Sequence, residues 1–161
     1  MRKSHQVNGQ PGKGAAQEGR SCMDDLLILP CNGIGNPLST ISRYAAYEVA
    51  RQMEQRGTRP RLMAIGRLLA RLPEAVEELR QARGVAVIEA CEARCASVLL
   101  EQLGVEMAVY IYVPEVMRDC GVGIRGIDRK FLGPKGRALV EAVAQATVEA
   151  IERHGSEVSQ S

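Results

Sequence analysis

The chain has 161 residues, 45% hydrophobic and 25% charged, a balance that suits one soluble globular domain with room for a core. Its formal charge of +2 is concentrated in residues 1–20, which carry a net +3 and leave the rest close to neutral; aromatics are 3% and Trp is absent. No nucleic-acid partner is expected, since that needs a basic patch and stacking rings, and no membrane partner, since no run approaches the ~20 apolar residues of a span.

In chain order, residues 1–22 are polar, rich in Gly, Gln and Ser, and are expected to be a disordered tail. They contain no apolar stretch of the secretory kind. Five cysteines without such a leader point to a reducing, cytoplasmic setting, where thiols serve as metal ligands, reactive groups or small buried residues more often than as disulfides. Cys22 sits at the amino end of the first expected strand and is left out of the site below.

The first strand is expected over 25–30, where Leu26-Leu27-Ile28-Leu29 is an apolar run. A helix from Leu38 to Gln55 follows, with Ser39 or Ser42 as its cap and Ile41, Ala45, Ala46, Val49 and Met53 as its apolar stripe. A weak second strand falls at 61–65. Pro73 then starts a helix reaching Arg83, with Glu74, Glu77 and Glu78 suiting its positive end. The third strand is 85–89, and a helix from Glu92 to Leu103 closes at Gly104. Met107–Val113 is the fourth strand, a glycine-rich loop is expected from Glu115 to Gly133, and the last helix runs from Pro134 to His154. Leu139, Val143, Ala146, Val148 and Ile151 populate that helix's buried side, and residues 156–161 are expected to fray. One α/β domain over 23–155 is thus expected.

Four strands alternating with helices predict a three-layer α/β fold: a four-stranded parallel sheet with flavodoxin- or Rossmann-like helices on both faces. A strand order of second, first, third, fourth puts the first and third strands side by side at the topological switch point. Each of those two strands delivers thiols to the carboxyl edge. Cys31 follows Leu29-Pro30 and opens the small-residue turn Asn32-Gly33-Ile34-Gly35; Cys91 and Cys95 follow Ile88-Glu89-Ala90. Residues sixty apart in sequence, Cys31 and Cys91, are then expected on neighbouring strand ends.

Cys91 and Cys95, at i and i+4, are expected on one face of a helix's first turn, where amides and the helix dipole favour thiolates. Zinc takes thiolates and usually has four ligands in structural sites. Three cysteines leave one position, for which Cys120 is the first candidate; Glu89, Glu92, Asp119 and water are alternatives. His5 and His154 are too far away in the chain's layout. The expected metal set is therefore Cys31, Cys91, Cys95 and Cys120. The other reading of the same residues is a thiol-dependent enzyme or redox sensor acting through Cys31 or Cys91, and a third is a module whose cysteines only pack.

Two neighbouring features carry double readings. Gly33-Ile34-Gly35 either cradles a phosphate or only lets the chain turn beside the cysteines, and the full phosphate-loop pattern is missing. The Gly- and Arg/Lys-rich segment from Gly121 to Lys135 is either a lid that carries a small anionic ligand to the cysteine edge or a solvated loop. An Arg six residues after Cys31, as a thiol phosphatase needs, is not present: Pro37 stands there, and Arg43 is read as a pairing residue. The redox spacing of two residues between cysteines is missing as well.

Cys31-Asn32-Gly33-Ile34-Gly35, Arg43-Tyr44-Ala45-Ala46-Tyr47-Glu48 and Glu89-Ala90-Cys91-Glu92-Ala93-Arg94-Cys95-Ala96 together resemble the DGC-domain proteins. The resemblance covers about 26–153 and implies zinc binding through Cys31, Cys91 and Cys95. The sequence departs from that pattern in two places. Glu89-Ala90-Cys91 stands where the family reads Asp-Gly-Cys, and Met63 or Ala64 stands where the family has a further cysteine.

Overall fold

Leu26–Pro30 forms strand β1, whose four leucine and isoleucine side chains are all buried. The computed structural model describes residues 25–160; the expected tail over 1–22, with Cys22, lies outside them. Helix α1 spans Pro37–Gln55, β2 Arg61–Leu62, α2 Ile65–Leu69, α3 Pro73–Gln81, β3 Gly84–Glu89, α4 Cys95–Leu103, β4 Val109–Tyr112, α5 Val113–Asp119 and α6 Gly133–Val158. The sheet is parallel throughout, in the order β2-β1-β3-β4. The three-layer α/β fold expected from the sequence is the one observed.

A central parallel strand must be apolar on both faces, because helices cover both. In β1, Leu26 and Ile28 join the core under α1 and α6, while Leu27 and Leu29 join the opposite core with α2, α3 and α4. Strand β3 alternates in step, Ala86 and Ile88 facing the first layer and Val85 and Val87 the second. The expected stripe of α1 is buried in full, and in α6 Ala144 is buried where Ala146 was expected.

Several boundaries differ from the sequence expectation, four of them with a bearing on the site or its frame. Strand β2 has two residues instead of five, because the chain turns after Leu62 and buries Met63, Ile65 and Leu68 as it enters α2. Strand β4 stops at Tyr112, and a helix, α5, occupies the start of the expected loop, with Pro114 in its first turn and Val113 fully buried. Helix α4 begins at Cys95 and not at Glu92. Helix α6 continues past His154 to Val158. Among the described residues no helix is long and apolar enough to cross a membrane.

Candidate functional site

Pro30 pairs with Ile88 in the β1–β3 register, so the two central strands end level at the carboxyl edge. The Cys31 amide lies just beyond and donates both to the Ile88 carbonyl at 2.9 Å and to Ser42 Oγ at 2.9 Å. Ser42 Oγ in turn donates to that carbonyl at 2.7 Å. A fully buried serine of α1 thus fixes the backbone of Cys31 against β3. Cys31 Sγ lies 3.4 Å from the hydroxyl of Ser39, which is also buried.

These two serines were the expected helix caps, and neither has that role. The cap of α1 is Asn36, whose Oδ1 accepts from Leu38 N at 2.9 Å with Pro37 behind it. Asn36 Nδ2 also donates to the Ala90 carbonyl at 3.2 Å, which ties the Cys31 turn to the Cys91 turn. Arg43 donates to the Gly33 carbonyl at 3.0 Å and to Thr40 Oγ1 at 3.1 Å, so it is a pairing arginine. A Cβ on Gly33 would stand 2.8 Å from Ser39 Oγ, while one on Gly35 would meet nothing within 4 Å. A side chain at Gly33 would thus press on the Ser39 hydroxyl beside Cys31.

On the second turn, Cys91 is not helical. Residues 91–94 form a turn in which the Arg94 amide donates to the Cys91 carbonyl at 3.2 Å, and Arg94 takes a left-handed φ of 46° before α4 starts. The Glu89 carboxylate, 2% exposed, accepts from the amides of Ala96 at 2.8 Å and Ser97 at 3.2 Å through Oε1, and from Ser97 Oγ at 3.0 Å through Oε2. Those amides are among the unfilled donors of the first turn of α4, so the strand's last residue caps the helix from outside it. Arg94 adds an ion pair to Glu89 at 3.9 Å and covers the Tyr110 ring at 5.3 Å. Burial first, then the nearby Glu89, push the Tyr110 phenol above its usual range. Burial first, then Glu92 and Cys91, do the same at Tyr112.

Cys31, Cys91 and Cys95 line one cavity of about 230 Å³, walled on its apolar side by Ile65, Leu69 and Ala96. Three of the four expected ligands therefore share one space. Cys120 caps the carboxyl end of α5, is exposed, and is not in the cavity's lining. No described cysteine is in a disulfide; Cys31 and Cys91 are half-buried, Cys31 packing against the core under α1 and α6, and Cys95 and Cys120 are exposed. Among the described residues no three His, Cys, Asp or Glu are gathered closely enough to hold a metal ion. The donors are thus of the right chemical kind for zinc, within one cavity, at open spacing.

Sequence reasoning missed the roles of Asn36, Ser39 and Ser42, and treated Glu89 only as a spare ligand. For Asn36 a signal was present: Asn before Pro at a helix start is a strong cap pattern. Across the whole arrangement, a family model described as the DGC domain matches residues 27–124. No curated protein and no solved structure matches.

Proposed function

The chain belongs to the DGC-domain family, and from that premise we propose that it binds one zinc ion through the thiolates of Cys31, Cys91 and Cys95. The observation that carries this reading is the single cavity which those three cysteines line at the carboxyl edge of β1 and β3. Cys31 is the fixed partner, because Ser42 and Ile88 hold its backbone. Cys91 and Cys95 are the adjustable ones, since one lies in a turn and the other on the exposed first residue of α4. Gathering on the metal would close the turn at 91–94 onto Cys31. Zinc, when bound, supplies a Lewis acid and a ligand position open to water or a small anion unless a fourth protein donor fills it. Glu89 is a poor fourth ligand because its oxygens already serve α4; Cys120 is the remaining thiol. The proposed setting is the cytoplasm, where free thiols persist, and the proposed partners include neither nucleic acid nor membrane.

Replacement of Cys31, Cys91 or Cys95 by Ser is expected to remove most of the zinc from protein purified without a histidine tag, measured by elemental analysis. Cys120→Ser is expected to leave at least half. Zinc should also raise the melting temperature of the wild-type chain and not of the three deficient variants, because binding to the native state alone stabilises it. Equal zinc content in all four variants would refute the assignment.

A second reading is favoured by the open spacing of the donors and by the Ser39 hydroxyl 3.4 Å from Cys31 Sγ. It makes the protein a thiol-dependent enzyme or redox sensor acting through Cys31 or Cys91. Zinc-free protein in which one of these is alkylated much faster than Cys120 would favour it.

A further inference from the structure

A second cleft, of about 570 Å³, lies away from the cysteines and shares no lining residue with their cavity. Its volume falls in the range of small-molecule sites. It is a cleft between α1 and the segment that leads into α6, with Val140 in its lining, Tyr44 from one side and Phe131 from the other. Phe131 is the chain's one phenylalanine, and it is 80% exposed; Tyr44 is 53% exposed. An aromatic ring held in water forfeits the burial that normally keeps it inside, so a pair of them facing one cleft calls for something flat to cover them.

The segment that presents Phe131 is pinned at several points. Asp128 Oδ1 accepts from the amides of Lys130 at 2.5 Å and Phe131 at 3.0 Å. Thr40 Oγ1 on α1 donates to the Arg129 carbonyl at 3.1 Å, and Lys135 Nζ to the Arg125 carbonyl at 2.8 Å. The two backbone amides hold the Asp128 carboxyl below its usual range, so this clasp persists at neutral pH. The ring is set out over the cleft by structure and not by a loose loop.

The charges of the cleft sort into a closed pair and an open excess. Glu48 and Arg51 satisfy each other; hydrogen bonds from Arg51 and Gln52 lower the Glu48 carboxyl to about 2. Lys130 and Arg137 also line the cleft, and neither has an ion-pair partner among the described residues, against the one unpaired carboxylate of Glu141. The surrounding stretch from Arg118 to Arg137 holds six basic and two acidic residues. Two exposed rings, and two cations against the one carboxylate of Glu141, in a cleft of this size match a planar aromatic ring that carries an anionic group.

We propose that the cleft between Tyr44 and Phe131 binds a nucleoside phosphate, its base against the two rings and its phosphate on Lys130 and Arg137. The site is independent of the cysteine cavity. The probe is ADP, titrated by calorimetry into the full chain at low salt, with adenosine and inorganic phosphate as controls. One ADP per chain is expected. Phe131→Ala should weaken ADP about tenfold, the scale of one base–aromatic stack. Lys130→Ala with Arg137→Ala should weaken ADP by a similar factor, leave adenosine unchanged, and remove the salt dependence. Phe131, Lys130 and Arg137 are exposed, so these variants keep the fold. No saturable binding at millimolar ADP, ADP affinity that neither variant changes, or ADP affinity lost in Cys31→Ser would each overturn the proposal.

Discussion

Glu89→Ala is expected to destabilise the chain by about 3 kcal/mol, since each buried donor left without an acceptor costs roughly 1–3 kcal/mol. The wild-type carboxylate is 2% exposed and serves three donors of α4 at once. Alanine would leave the Ala96 and Ser97 amides and the Ser97 hydroxyl facing a void in a region where, among the described residues, every buried side-chain polar atom is satisfied. It would also strip Arg94 of its ion-pair partner, the lesser loss because Arg94 is half in water. Urea unfolding should show a lower midpoint at unchanged slope. Ser97→Ala removes one donor and its bond together and should cost about 1 kcal/mol. A loss below about 1 kcal/mol for Glu89→Ala would mean that water takes over the carboxylate's role. The same variant should loosen the turn at 91–94, which links the stability of α4 to the placement of Cys91 and Cys95.

Ile28→Ala should be comparably severe, at about 4 kcal/mol, within the range for large-to-small changes in a packed core. Ile28 is fully buried in the strand between β2 and β3, in register with Leu62 and Ala86, and packs beneath α1 and α6. Helices on both sides of the sheet prevent the site from collapsing to fill the cavity. Leu69→Ala is the control: that side chain is 60% exposed, and its removal should change stability by under about 0.5 kcal/mol. Thermal and denaturant unfolding of the two variants would check the contrast, and similar losses for both would contradict the assigned core.

The sheet was legible because β1, β3 and β4 hold short apolar runs, and the strand order followed from how parallel crossovers wind. Placing Cys31 beside β3 needed nothing more. What could not be read were tertiary decisions about where helices start and stop. Glu92-Ala93-Arg94 has good helix-forming composition, yet α4 starts at Cys95, with the Glu89 carboxylate on the amides of residues 96 and 97. Helix α5 has seven residues, too few for a periodic signal, and Val113 looked like the end of a strand. Pro114 in its first turn and Arg118 in its last were the local signs of it. Ser39 and Ser42 suit a helix cap by type, but the i, i+3 spacing that turns both inward toward Cys31 became visible only with α1 docked on β1 and β3.

The cysteine geometry ties these parts together. Ser42 and Asn36 on the first turn, with Glu89 on the second, hold the ends of two central strands so that three thiols open into one space. The fold thus brings three thiols to one cavity, and the proposed function has a single ion draw them together. X-ray absorption at the zinc edge, on tag-free protein loaded with one equivalent of zinc, tests this most directly. Three sulfur ligands at ~2.3 Å are expected in the wild-type chain, and zinc added to Cys31→Ser, Cys91→Ser or Cys95→Ser should show fewer sulfurs per ion. A zinc environment of nitrogen and oxygen only, or a sulfur count that these three variants leave unchanged, would contradict the proposed function.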